Sequence, residues 1–154
     1  MSASTEPIFE LSRDGEPPRW RVLFLCMGNA CRSQMAEGFA RVYGSDVMIP
    51  ASAGFTPASA VPADTIRAMD EKNIDIRAHF PKSWLHVRMA EFDLVVNMSG
   101  CALPPQIVST VREWNVPDPV LVSYKEHCRI RDRIESLVME LILELRRVQK
   151  KQHA

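Results

Sequence analysis

The 154-residue chain has no apolar run near the roughly 20 residues that cross a bilayer, so no transmembrane helix is expected. It has no charge excess of either sign, because 19 basic residues balance 19 acidic ones. That removes the electrostatic footprint of a nucleic-acid binder or an anionic-membrane binder. The first 19 residues, MSASTEPIFELSRDGEPPR, contain no continuous apolar stretch and do not read as a secretory signal. Polar and carrying three prolines, they read as a flexible tail over residues 1–19, ahead of one domain over 20–154. Cysteine is scarce: Cys26, Cys31, Cys101 and Cys128 are the only four. No CxxC pair and no histidine at zinc-finger spacing accompanies them, so nothing points to a structural zinc. Without a leader, they are expected to be free thiols in a reducing cytoplasm. Internal repeats and low-complexity segments are also missing. What remains, 46% apolar and 25% charged, suits a single globular domain.

The pattern alternates strands with helices. Val22-Leu23-Phe24-Leu25 is a continuous apolar run, as in a parallel strand covered on both faces. A helical spacing of Met35, Phe39 and Val42 follows, with Ser33 as its expected N-cap. Val47 to Ala53, closed by Gly54, reads as a second strand. Pro62 to Asn73 reads as a helix with Pro62 in its first turn. Phe92 to Met98 reads as a third strand, and Thr110 to Val116 as a short fourth. Ile130, Ile134, Leu137, Val138, Leu141, Ile142 and Leu145 form the apolar stripe of a long last helix, whose basic end is expected to fray. The expectation is an α/β domain with a parallel sheet. Ligands in such sheets bind at the carboxyl ends of the strands, where Cys26 and Asp118 both fall.

Cys26 is followed by five residues and then Arg32 and Ser33, on a loop between a strand and a helix. The loop residues Met27, Gly28, Asn29, Ala30 and Cys31 offer backbone N–H groups to an anion, and Gly28 is expected to let the backbone turn tightly. The helix adds its N-terminal donors and positive dipole end. Arg32 adds a planar, permanent charge able to bind two oxygens at once. The same field favours a thiolate over a thiol, and the thiolate is the nucleophile. Such a site can hold a tetrahedral oxyanion and attack it with sulfur. Asp118, between Pro117 and Pro119, is the candidate acid for the leaving oxygen, although Asp-Pro is also ordinary turn chemistry. His79 alone reads as a core histidine, and Cys128 as structural.

At these residues the chain resembles a known family. CMGNACRSQMAEG is similar to the active-site loop of the low-molecular-weight protein tyrosine phosphatases, a family that includes thioredoxin-coupled arsenate reductases. The likeness continues through SAG at Ser52 to Gly54, AMDEKNIDI at Ala68 to Ile76, LVVNM at Leu94 to Met98 and VPDP at Val116 to Pro119, and covers roughly residues 20–148. It implies a single catalytic domain with a four-stranded parallel sheet flanked by helices. It implies Cys26 as nucleophile, Arg32 as oxyanion binder, Ser33 as thiolate stabiliser and Asp118 as general acid. It implies that Asn29, Ser52 and His79 hold the loop in shape. No cofactor is required. The reductase branch also has a potassium site, whose positions match Asn29, Glu37, Ser52 and, least closely, Asp75.

Two activities fit the loop. A phosphatase hydrolyses the cysteinyl phosphate with water. An arsenate reductase resolves its cysteinyl adduct with a second thiol and leaves a disulfide for an external reductant, thioredoxin or glutathione/glutaredoxin. SQMAEGFAR resembles the reductase version of the loop, where phosphatases commonly have SPMAE. Val120-Leu121 stand where tyrosine-specific members often carry a tyrosine pair. Cys101, in MSGCALPP, lies where reductases place redox cysteines. Against this, Ser99 stands where thioredoxin-coupled reductases have a further cysteine, and Cys31 matches a thiol that in phosphatases forms a protective disulfide with the nucleophile. An arsenate reductase with Cys101 as resolving thiol is the first expectation. A phosphatase acting on phosphotyrosine or other aryl phosphates is the second.

Overall fold

The computed structural model describes residues 17–107 and 109–153. The expected loose tail falls almost wholly outside that range, and the first strand begins at Trp20. Strand β1 (Trp20–Cys26) leads through the Cys26 loop to helix α1 (Arg32–Tyr43). Then come β2 (Met48–Gly54), α2 (Ala63–Asp70), two short 3-10 turns (Trp84–His86 and Met89–Glu91), β3 (Leu94–Asn97), β4 (Thr110–Glu113) and the 30-residue α3 (Tyr124–His153). The four strands form one sheet in the order β2-β1-β3-β4, with every pair parallel. This is the expected single α/β domain with a four-stranded parallel sheet.

Side chains alternate across a strand, and β1 shows why its run is apolar throughout. Val22, Phe24 and Cys26 face a core shared with α1, α2 and α3. Leu23 and Leu25 face a smaller cluster with Ala53, Val95 and Ile107, covered by Phe55, Trp84, Val87 and Met89. The three long helices thus cover one face, and the 3-10 turns and loops cover the other. Helix α3 lays Ile130, Ile134, Val138, Leu141, Ile142 and Leu145 into the larger core, as their spacing predicts. It runs to His153.

Several boundaries differ from the sequence expectation. Strand β2 runs one residue later, so Gly54 is its last member rather than its stop. Helix α2 ends at Asp70 because Asn73 takes a left-handed φ of 59°, and the amide of Ile74 turns back to the carbonyl of Met69 at 3.1 Å. Strand β4 ends at Glu113 because the next residues serve other ends. Trp114 packs against Phe24 with ring centroids 5.8 Å apart, and the Val116 carbonyl turns toward Arg32. Strand β3 is likewise shorter than the expected span. No described helix is long and apolar enough to cross a membrane.

Candidate active site

The carboxyl ends of β1 and β3 lie side by side, and the site is built on that edge. Cys26 ends β1 in register with Gly54 on one side, and Leu25 pairs with Asn97 on the other. Beyond Cys26, the turn of residues 27–31 is stitched to the chain that follows β2. Thr56 N–H donates to the Met27 carbonyl at 2.8 Å, and Ala58 N–H donates to the Gly28 carbonyl at 2.9 Å. The close approach falls at Gly54, where a Cβ would sit 2.7 Å from the Asn29 nitrogen and 2.8 Å from the Met27 oxygen. The left-handed position of the loop is Asn29, with φ 48°, and not the expected Gly28. Asparagine tolerates that conformation because its short polar side chain bonds locally.

Asn29 is fully buried and serves as the loop's internal strut. Its Nδ2 donates to Ser33 Oγ at 2.7 Å, and its Oδ1 accepts the Lys82 N–H at 3.0 Å. Gln34 Nε2 donates to its carbonyl at 3.0 Å and to its Oδ1 at 3.1 Å. Ser33 Oγ lies 2.9 Å from Cys26 Sγ. Because Ser33 Oγ accepts from Asn29, its own hydrogen is left for the sulfur. Ser33 is therefore not the N-cap expected from sequence. It sits inside the first turn of α1, its hydroxyl committed to Cys26, while Cys31 flanks the helix without a side-chain cap. The orphan N–H groups of that first turn are the donors an oxyanion needs.

Arg32 is nearly buried. Its Nη1 donates to the Met98 carbonyl at 2.5 Å and the Val116 carbonyl at 3.2 Å. Its Nη2 lies 3.6 Å from Asp118 Oδ2. One end of the fork is thus tied to the segments after β3 and β4, and Nε and Nη2 remain as the edge for an oxyanion. Cys26, Cys31, Arg32, Asp118 and Val120 line one small cavity of about 190 Å³ with Met27, Gly28, Ala30 and Ala58. The space suits a tetrahedral oxyanion, with a half-exposed carboxylate at its rim.

Cys101 does not line this cavity. It lines a neighbouring one of about 380 Å³, together with Met98, Gly100, Glu113, Trp114 and Arg32, the residue common to both. Cys101 is exposed, on a bend whose Gly100 has φ 76°. Buried Asn97 shapes the bend: its Nδ2 donates to the Cys101 carbonyl at 2.8 Å, and its Oδ1 accepts the Ser99 hydroxyl at 2.6 Å. Cys31 is buried, and Thr65 Oγ1 donates to its sulfur at 3.2 Å and lies 3.1 Å from His127 Nε2. Burial pushes the Cys31 thiol up, against the pull of the Thr65 hydrogen bond. Cys128 follows His127 in α3, with its thiol 3.7 Å from the Glu71 carboxylate. All four thiols are free.

His79 reaches the loop through Gln34, with Nδ1 2.9 Å from Gln34 Oε1. Ser52 does not touch the loop; its hydroxyl donates to Glu37 Oε1 at 2.9 Å. Sequence reasoning missed Gln34 and Asn97. Gln34 carries no signal beyond being polar next to Ser33. Asn97 has one, since like Cys26 it ends an apolar strand on the ligand edge of a parallel sheet.

The potassium positions do not fit an ion. Asn29 Oδ1 accepts two N–H groups, Glu37 Oε1 takes Ser52, and Glu37 Oε2 faces Arg41 at 3.2 Å and His79 at 3.5 Å. Asp75 is exposed, and its carboxylate is bound to Arg77.

Comparison with known proteins gives the family. The family model for low molecular weight phosphotyrosine protein phosphatase matches residues 21–153. A glutaredoxin arsenate reductase of Synechocystis sp. is 32% identical over 129 residues, 81% of this chain and 98% of that protein. Arsenate reductase 1 of Staphylococcus epidermidis is 34% identical over 122 residues, 76% of this chain and 91% of that protein. A solved arsenate reductase in its phosphate-binding state superposes with a TM-score of 0.77 at 31% identity, covering 82% of this chain and 98% of its own. The chain therefore belongs to the low molecular weight phosphotyrosine protein phosphatase family.

Proposed function

We propose that this protein is a thiol-dependent arsenate reductase in which Cys26 attacks arsenate and Cys101 resolves the adduct. The observation that carries the reading is the pair of cavities that share Arg32, one holding Cys26 and the other Cys101. The two relatives named above, both arsenate reductases by name, support it.

The first step forms a Cys26–arsenic bond and expels one arsenate oxygen as water. Asp118 supplies a proton to that oxygen, while Arg32 and the loop N–H groups hold the others. Ser33 steadies the thiolate before attack. The Cys101 thiolate then attacks Cys26 Sγ. A Cys26–Cys101 disulfide forms, the S–As electron pair passes to arsenic, and arsenite leaves. Arsenic is thereby reduced by two electrons and the two thiols are oxidised. A dithiol protein of the thioredoxin or glutaredoxin class, or glutathione with glutaredoxin, returns the enzyme to its thiol form. This chemistry belongs in a cytoplasm that keeps thiols reduced.

A phosphatase is the second reading, because Cys26, Arg32 and Asp118 line one cavity and that reaction needs no residue outside it. Water would then cleave a cysteinyl phosphate instead of a thiol cleaving a cysteinyl arsenate.

The test follows arsenate-dependent oxidation of each reductant and aryl-phosphate hydrolysis in parallel. Arsenate-dependent turnover that Cys101→Ser abolishes, with hydrolysis intact, is the expected result. Hydrolysis with no arsenate-dependent thiol oxidation would replace the first reading with the second.

A further inference from the structure

Glu37 carries a carboxylate into the packing beneath the Cys26 loop, with its side chain 7% exposed. A charge removed from water must be met by a partner. Ser52 donates its hydroxyl to Glu37 Oε1, and His79 Nδ1 lies 3.5 Å from Oε2 while it bonds Gln34 Oε1 at 2.9 Å. Burial holds the His79 imidazole below the usual histidine range, so it is a weak source of countercharge. Arg41 is the cation in contact. Its Nη2 lies 3.2 Å from Glu37 Oε2 and also donates to the Pro50 carbonyl at 3.2 Å. Arg41 thus bridges a carboxylate of α1 and a main-chain oxygen of β2, a pair of hard oxygen donors of the kind that binds a metal cation. Burial pushes the Lys82 ammonium below the usual lysine range, against the attraction of Glu37.

We propose that Arg41 is the built-in counter-cation of Glu37, and that the Cys26 loop is held in shape without a bound potassium ion. The consequence for the nucleophile runs through contacts already described. Arg41 fixes Glu37, Glu37 faces His79, His79 meets Gln34, Gln34 braces Asn29, and Asn29 orients Ser33 against Cys26. Arg41 is a positioning residue that never touches substrate. An added ion would face the repulsion of Arg41 and would find the donor oxygens engaged. This goes beyond the proposed function, because the loop must hold its shape whether a thiol or water completes the reaction.

The test uses the full chain in potassium, sodium and choline chloride at equal ionic strength, reading the thermal unfolding midpoint and kcat/KM for an aryl phosphate. The wild-type protein is expected to give the same midpoint in all three salts. Arg41→Gln is expected to lower the midpoint by roughly 3 °C or more and kcat/KM by about tenfold, and potassium but not sodium should restore part of both. Arg41→Lys keeps the charge and should stay insensitive to potassium. A potassium-specific rise in the wild-type midpoint would overturn the proposal, with no variant needed. Losses in Arg41→Gln that are the same in all three salts would also overturn it. If Arg41→Gln does not fold, the wild-type comparison across the three salts decides alone, with equal midpoints expected and a potassium-specific rise overturning the proposal.

Discussion

At the scale of single residues, the site depends on one hydroxyl whose direction is fixed by its neighbour. Asn29 donates to Ser33, so Ser33 donates to Cys26. Hydrogen bonds to charged groups contribute about 1.5–3 kcal/mol, so Ser33→Ala should slow the first chemical step by roughly 10- to 100-fold. Single-turnover kinetics with an aryl phosphate would read this directly. Asp118 faces the same cavity, and Asp118→Asn should slow hydrolysis of a poor leaving group by about 10²–10⁴-fold. An unchanged rate would remove it from the acid's role. Two histidines carry a different consequence. Burial lowers the proton affinity of both His79 and His127. The unfolded chain therefore binds protons, as pH falls below about 6.5, that the folded chain refuses. Their contribution is fully present above that pH and is lost as pH drops toward the depressed folded values. Denaturant unfolding between about pH 5.5 and 7.5 should show stability rising with pH, and His127→Gln should flatten that slope.

At the scale of elements, the loop after β1 is shaped by the strand beside it. Gly54 lets the end of β2 pass against the backbone of Met27 and Asn29, where no side chain fits. Gly54→Ala should push the loop outward, cost about 1–3 kcal/mol in denaturant unfolding and lower kcat/KM in the same protein. Without that loss of activity, the contact would matter to stability alone. The sequence makes elements of this kind visible to different degrees. Strands β1 and β3 and helix α3 are legible because burial on both faces, or along one stripe, leaves an apolar pattern. Cys26 and Arg32 are legible because their spacing on a strand–loop–helix unit has few other uses. Ser33 reads as a cap because serine before a helical pattern usually is one, and only the fold brings Cys26 to its hydroxyl. Gln34 and the Thr65–His127 pair are invisible for the same reason: each is a buried polar group whose partner lies on another element, and a single sequence does not show such pairings. Asn97 shows its place at the end of an apolar strand but not its partners.

At the scale of the whole molecule, α3 holds the helical layer against the sheet. Ile142 is fully buried in the core that joins α1 to β1. Arg112 of β4 pairs with Glu144 of the same helix, and Glu144 is held below the usual carboxylate range by that guanidinium. Ile142→Ala should cost about 2–5 kcal/mol and lower the unfolding midpoint by roughly 2–4 °C for each of them. It should leave kcat/KM at 25 °C within about twofold, because the site rests on strand ends remote from that packing. The strand order β2-β1-β3-β4 has a further meaning for how such proteins diverge. The attacking sulfur ends β1, and the candidate resolving sulfur lies on the bend after the neighbouring β3. Arg32 reaches across that edge to the Met98 carbonyl. A change in the bend after β3 is therefore felt at the anion cradle after β1, and the two halves of the edge must vary together.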